Sequence, residues 1–335
     1  MDRVVPAEWS PHLAMWLGFP SHADLWLENL EPARAEVEAL ARALAGPGGE
    51  RVRLMAYGDQ AVADAKRRFA DDPRIEIVPG RFGDIWFRDT GPIFVRDGGE
   101  TRAVGFTVNG WGGKYELPHD EEVADQIAVA TPVSLERFDV VLEGGALEHD
   151  GAGTVITTRQ CVLNPNRNRN WTETQAEDVL GRALGMKKTI WLDDGLANDH
   201  TDGHVDNLAR FLRTGVVACP EAFGDDDPNA EIYDLAADVL ARSADAEDRP
   251  LEVVRIPSPG RMQHEDGEIV PASHMNFLVA NRAVIAPLYE NADAGEAALR
   301  VLRAQFPDRA VIGLSSSAIL TGGGSFHCIS QQEPA

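Results

Sequence analysis

Cys328 stands at the end of the run Gly322-Gly323-Gly324-Ser325-Phe326-His327-Cys328, in which glycines let the backbone approach a ligand closely and His327 adds a local cation. A thiolate there is a strong nucleophile if its pKa is lowered or if a cationic substrate helps to ionise it. A single free cysteine is ordinarily a small buried hydrophobe. Cys161 and Cys219, inside apolar strand-like segments, read that way. His204 and Asp206 are spaced i and i+2, which in an extended segment turns both side chains to one face, the imidazole for proton transfer and the carboxylate for a cation. They share a short stretch with Asp199, His200 and Asp202. Asp89, next to Arg88, and Glu143, ahead of two glycines, add carboxylates from two further stretches. Three carboxylates, one histidine and one cysteine suit a planar, delocalised cation. Carboxylates match such a cation bidentately, the thiolate can attack its central carbon, and the histidine can protonate departing ammonia. A different chemistry is also open, a metal-dependent hydrolase with His200, His204 and Asp206 as ligands, because two histidines four apart on a helix plus a carboxylate can hold an ion. Gly203 argues against a stable helix there.

Residues so far apart in sequence need a scaffold that returns to one place. A pattern of strand, helix and strand, then a loop, recurs about five times. The spacing predicts a strand over Val52 to Tyr57, a helix over Ala61 to Phe69 and a strand over Arg74 to Val78. It predicts next a strand over Ala103 to Val108, a helix near Glu121 to Ala130 and a strand over Phe138 to Leu142. In the third copy Thr154 to Leu163 is expected to be extended, Thr172 with Gln175 reads as a capping box, Gly185 stops the helix, and Thr189 to Leu192 is a strand. The fourth has Gly215 to Cys219, a helix with Ile232, Leu235, Ala236, Val239 and Leu240 inward, and Leu251 to Ile256. The fifth has Ala283 to Leu288, a helix from about Asp293 to Phe306, and Ala310 to Leu314. The loop after each copy is rich in Gly, Asp, His or Asn and begins near Asp84, Glu143, Asn198, Ser273 and Thr321 in turn. If the copies are related by rotation, these loops converge at one end of the axis. Five units without a long linker suggest one closed or ring-like α/β domain, with a doubly wound sheet as the competing architecture.

The formal charge of −23 repels phosphate backbones and anionic membranes and draws in a small cation, so nucleic acid and membrane are not expected partners. The three cysteines are few, scattered and odd in number, which fits a reducing compartment. No long apolar span or leader pattern is evident, and the reading is a soluble, unprocessed, cytoplasmic chain. The sequence leaves homo-oligomerisation open.

The segments Trp86 to Pro92, Asn109-Gly110-Trp111-Gly112-Gly113-Lys114-Tyr115, Glu143-Gly144-Gly145, Gly203-His204-Val205-Asp206-Asn207 and Gly322 to Gln332 resemble, in order and across nearly the whole chain, the agmatine deiminase family. That family is related to bacterial peptidylarginine deiminase within the guanidine-modifying superfamily. The resemblance implies a five-bladed α/β propeller of pseudo-fivefold ββαβ units, read here as a single catalytic domain over residues 1–335. It implies a hydrolase of amidine C–N bonds that converts agmatine to N-carbamoylputrescine and ammonia, a step toward putrescine, without metal or organic cofactor. Carried over by position, Cys328 is the nucleophile and His204 the general acid and then base. Glu143 lies beside the reacting carbon, and Asp89 with Asp206 holds the guanidinium nitrogens. Trp86, Asp84, Trp111, His200 and Gly324 are expected to touch substrate. The resemblance also implies an acidic residue near the substrate's distal amine where this chain has His200, which leaves another guanidine or an arginine derivative as the alternative substrate. Phe326, where a smaller aliphatic residue is implied, is expected to reshape the pocket. A non-catalytic guanidine- or polyamine-binding protein is a third reading, against which the setting of Cys328 speaks.

Overall fold

A short hairpin followed by an amphipathic helix and a parallel return strand is the smallest unit that can bury one sheet face under one helix. This chain repeats it. In the computed structural model, which describes residues 3–263 and 267–335, sixteen strands form five small sheets. Together they make a five-bladed α/β propeller. The second blade joins β4 (Ile93–Asp97), β5 (Glu100–Thr107) and β6 (Leu135–Val141), and the third joins β7 (Glu148–His149), β8 (Thr154–Thr158) and β9 (Lys188–Leu192). The fourth holds β10 (Arg210–Arg213), β11 (Val216–Glu221) and β12 (Glu252–Pro257); the fifth holds β13 (Leu278–Val279), β14 (Ala283–Leu288) and β15 (Ala310–Ser315). In each of these four the first pair is antiparallel and the second parallel, with the helices Val123–Ala130, Glu173–Leu184, Ala230–Ala241 and Ala292–Gln305 making the crossovers.

The first blade departs from the expected unit. It has four strands in the order β16 (Ser330–Pro334), β1 (His12–Gly18), β2 (Val52–Ala56) and β3 (Ile75–Pro79). Two parallel crossovers, the helices Leu30–Ala45 and Asp59–Arg68, connect β1 to β2 and β2 to β3. The hairpin position is taken by β16, which pairs antiparallel with β1 and so closes the ring between the two halves of the chain. The guanidinium of Arg88 is buried against this closing segment, donating to the His327 carbonyl (3.3 Å), Gln331 Oε1 (3.1 Å), Gln332 Oε1 (2.8 Å) and Ser330 Oγ (3.3 Å).

Local signals in the sequence account for the element ends. The Thr172–Gln175 capping box is formed, and Gly185 ends that helix at φ 74, the left-handed region. Extended structure does not run from Thr154 to Leu163; β8 stops at Thr158, whose hydroxyl accepts from the Cys161 amide and starts the short helix Arg159–Val162. The segment through His204 is not extended either, since Val205–Asn207 is a 3-10 turn. On the helix Ala230–Ala241, Leu235 faces out at 60% exposure and Tyr233 takes its place inside, a phase shift of the apolar stripe.

Near the axis the chain buries ions. Arg210 is 1% exposed and donates Nε to Glu148 Oε2 (2.8 Å), one terminal nitrogen to Glu8, and the other to the carbonyls of Met275 (3.1 Å) and Phe277 (2.8 Å). Glu8 also meets His327 Nε2 at 3.2 Å, and Glu148 accepts the Phe211 amide at 2.7 Å. Removing the one cation would strand two buried carboxylates. Arg210→Met is therefore expected to lower unfolding free energy by about 3–5 kcal/mol in urea titration, with the loss concentrated above the carboxylate pKa range.

Candidate active site

Each blade's return strand is followed by a loop, and each loop delivers part of one cluster. After β3 come Asp84, Trp86 and Asp89; after β6, Glu143 and Gly145; after β9, His200, His204 and Asp206; after β12, Asn276; and after β15, Gly322 to Cys328. Asp89 is 7% exposed, and its oxygens accept from the Gly145 amide (2.9 Å) and from Trp111 Nε1 (2.8 Å). His204 is fully buried, with Nδ1 3.8 Å from Asp89 Oδ1 and Nε2 3.9 Å from Glu143 Oε2. These are charge contacts, too long for hydrogen bonds. Glu143 is fixed by Arg167, whose Nε donates to Oε1 at 2.8 Å, leaving Oε2 free. Asp206 accepts from His327 Nδ1 at 2.8 Å through Oδ2, and its Oδ1 has no partner.

Cys328 lies against the same carboxylate, Sγ 3.5 Å from Asp206 Oδ2, and receives Asn276 Nδ2 at 3.1 Å. Asn276 Oδ1 accepts the backbone amides of His327 (2.9 Å) and Cys328 (3.2 Å), so one amide group sets both the nucleophile's backbone and its sulfur. Space at the centre of the cluster is kept by Gly145. A Cβ there would fall 2.6 Å from His204 Nδ1, 2.8 Å from Asp89 Oδ1 and 3.2 Å from Asp206 Oδ2.

The electrostatics follow from burying three carboxylates together. Burial, then the charges of Asp206 and Glu143, push Asp89 up to about 6 against the pull of His204 and Trp111. Burial also disfavours ionised Glu143 and Asp206. Contacts with His204 and Arg167 nevertheless hold Glu143 below its ordinary value, and the hydrogen bond from His327 does the same for Asp206. For His204 burial favours the neutral ring, yet Asp89 first, then Cys161 and Glu143, raise it well above the usual imidazole value. Burial and the charges of Asp206 and Asp89 lift the Cys328 thiol well above the ordinary thiol range. Both shifts run the same way, toward the protonated thiol at Cys328 and the protonated ring at His204.

A cavity of about 340 Å³ opens on this cluster, lined by Cys328 and Asp89 and by all five residues expected to touch substrate, Trp86, Asp84, Trp111, His200 and Gly324. His204, Glu143 and Asp206 are buried beside it rather than lining it. Asp84 is held between two indoles, accepting from Trp26 Nε1 (2.9 Å) and Trp86 Nε1 (2.7 Å), and burial raises it to about 6. Trp111 sits at φ 53, a left-handed conformation rare for a bulky residue, while its indole bonds Asp89. His200 is exposed on the cavity wall, with Nδ1 3.2 Å from the Tyr115 hydroxyl. It does not join His204 and Asp206 in a ligand set. Among the described residues the grouping of three metal-capable donors is Glu143, Cys161 and His204 instead, so the metal centre expected of His200, His204 and Asp206 is not formed. Phe326 is fully buried in the core and does not line the cavity, contrary to the expectation that it reshapes it.

Four contributors carried no assignment in the sequence. Asn276 lies in the fourth of the five loops, at the place where the other four carry site residues, and position in the repeat was the signal for it. Arg167, Tyr115 and Trp26 come from outside the loops after the return strands and act through partners far away in sequence.

The sequence profile of the family described as Porphyromonas-type peptidyl-arginine deiminase matches residues 4–334. An agmatine deiminase of Stutzerimonas stutzeri is 40% identical, covering 99% of this chain and 95% of that protein. An agmatine deiminase of Pseudomonas aeruginosa is 37% identical with the same coverage. The solved structure of agmatine deiminase of Enterococcus faecalis catalysing its reaction superposes with a TM-score of 0.92 at 31% identity, covering 99% of this chain and 96% of that one.

A thiol held protonated by neighbouring carboxylates has a testable signature. Alkylation of Cys328 by iodoacetamide, followed by mass spectrometry of the peptide, should be slow at neutral pH. It should still be climbing above pH values at which an ordinary thiol, pKa about 8.5, has levelled off. Asp206→Asn removes a charge that raises the thiol pKa and should move the climb to lower pH; a plateau below pH 8 in the unaltered protein would mean a resting thiolate (pKa about 8.5 for a free thiol).

Proposed function

Because this chain belongs to the Porphyromonas-type peptidyl-arginine deiminase family, we propose that it is a hydrolase that deiminates agmatine to N-carbamoylputrescine and ammonia through a covalent intermediate on Cys328. The observation that carries this reading is the convergence of one thiol, one imidazole and three carboxylates from four loops at the end of one cavity. We infer that residues 1–335 work as one catalytic domain, since the cluster draws on the loops of all five blades.

The electrostatics support a substrate-assisted order of events. A guanidinium entering between Asp89 and Asp206 cancels the two charges that hold the Cys328 proton in place, so the thiol ionises when substrate arrives and its proton leaves to solvent. The thiolate then attacks the guanidinium carbon, and the sp³ centre collapses as imidazolium His204 protonates the departing nitrogen. Ammonia leaves and an S-alkylthiouronium remains. His204, now neutral and held by Asp89 and Glu143, takes a proton from water; hydroxide adds to the thiouronium carbon, the thiolate is expelled, and the hydroxyl proton passes to that thiolate, restoring the thiol. The ureido product and a regenerated site result.

The lining supports a substrate without a carboxylate. Among the described residues it carries Glu28, Asp84 and Asp89 and no lysine or arginine, so an α-carboxylate finds no lysine or arginine partner there while an ammonium finds acidic surroundings. Trp86 and Trp111 offer indole faces to a methylene chain or a cation. His200 stands at the wall where the resemblance implies a carboxylate.

Two measurements test the reading. Cys328→Ala should reduce ammonia release from agmatine to background while leaving the unfolding transition in place; retained turnover overturns the covalent mechanism. In a panel of guanidines read by ureido product, arginine should show kcat/KM at least about a hundredfold below agmatine, because its carboxylate is left unpaired. Equal values would remove agmatine as the substrate and keep the chemistry.

A further inference from the structure

The reaction above makes no use of Cys161. This residue is fully buried on the short helix Arg159–Val162, and its Sγ, an oxygen of Glu143 and a ring nitrogen of His204 all lie within 4.8 Å of one another. Among the described residues, His204 Nε2 and Glu143 Oε2, which face each other, are buried without a hydrogen-bond partner. Unsatisfied donors and acceptors turned toward one point, with a sulfur among them, are the makings of a coordination site.

We propose that Glu143, Cys161 and His204 bind a thiophilic divalent cation of the zinc class, and that occupancy silences the enzyme. Thiolate, imidazole and carboxylate together select such ions, whereas magnesium and calcium take oxygen alone. Two anionic donors balance the ion's charge. Bonds of about 2.0–2.3 Å in a tetrahedron set donors roughly 3.3–3.8 Å apart. His204 Nε2 and Glu143 Oε2 are already 3.9 Å apart. The surroundings match what metal ligands require. Arg167 pins Glu143 by Oε1 at 2.8 Å and leaves Oε2 to coordinate, and Asp89 stands 3.8 Å from the other ring nitrogen of His204, the carboxylate–histidine pairing that orients a ligating imidazole. The fourth position is left to water.

Coordination displaces two protons to solvent, one from the Cys161 thiol and one from the His204 imidazolium, and changes no oxidation state. The ion takes the imidazole lone pair that would otherwise collect a proton from water, and its charge repels the incoming guanidinium. Binding stands by itself, whereas inhibition rests on the deiminase reading.

Cadmium is the probe for binding. In full-length Cys328→Ala protein, which lacks the thiol that lines the cavity, Cd²⁺ should raise a thiolate-to-cadmium ultraviolet band that saturates at one ion per chain. The Cys161→Ala/Cys328→Ala protein, which keeps Cys219, should not develop it. An unchanged band in the double variant overturns the proposal, as does no band in the single one. With Cys328 intact, Zn²⁺ should inhibit ammonia release reversibly on adding chelator, and Cys161→Ala should raise the half-inhibiting concentration by at least about tenfold. Equal sensitivity would overturn the proposal and move the ion to Cys328. Should Cys161→Ala not fold, Cys161→Ser keeps the size and carries the same two readouts. If agmatine proves not to be a substrate, the cadmium titration still decides the site.

Discussion

The structure is organised around a deficit of positive charge in a dry place. Asp89, Glu143 and Asp206 are buried around one imidazole; Asp89 is hydrogen-bonded at both oxygens, whereas Glu143 and Asp206 are each tied down at one oxygen with the other left over. Among the described residues neither Glu143 Oε2 nor Asp206 Oδ1 has a hydrogen-bond partner. Each such orphan costs about 1–3 kcal/mol, and a planar cation with several N–H groups recovers that cost on binding. The same deficit explains the resting protonation of Cys328 and His204. Binding energy and activation of the nucleophile therefore have one source.

Holding that deficit in shape is the task of the ring. No blade contains the site; each contributes a loop, and the blades must agree in position to within the few tenths of an ångström that separate a charge contact from a clash at Gly145. Agreement is enforced at two places. The Arg210 cluster ties the segment before β1 to β7, β10 and the loop before β13, and Arg88 ties the loop carrying Asp89 to the segment carrying Cys328. Arg88 and Asp89 are neighbours in sequence that face opposite ways, one to the scaffold and one to the cavity. A bond between the two side chains, the bland expectation for such a pair, is not made.

Much of this was legible because chemistry and periodicity agreed. The loops after return strands are where polar residues break an otherwise apolar strand and helix rhythm, so Asp89, Glu143, His204, Asp206 and Cys328 stood out. The hairpin strands did not, since β7 and β13 have two residues each and carry no alternation to read. Cys161 was placed in a strand because β-branched and apolar residues dominate Thr154 to Leu163 on both sides of Arg159 and Gln160; only the Thr158 cap turns the chain into a helix there and brings the sulfur to His204. Arg167 and Trp26 were invisible for a different reason: a side chain that matters through one long-range partner has no pattern of its own. The His200 exchange was visible at once, but its consequence required the wall opposite, where Tyr115 occupies its Nδ1.

The closing strand has a consequence for the order in which this molecule can come into being. A ribosome makes β16 after the other fifteen strands, and the nucleophile lies two residues before it. β16 pairs with β1, and the Arg88 side chain takes three of its four acceptors, Ser330, Gln331 and Gln332, from that strand. The nucleophile is thus set in place by the same stretch of chain that closes the ring, the last of the described strands to leave the ribosome.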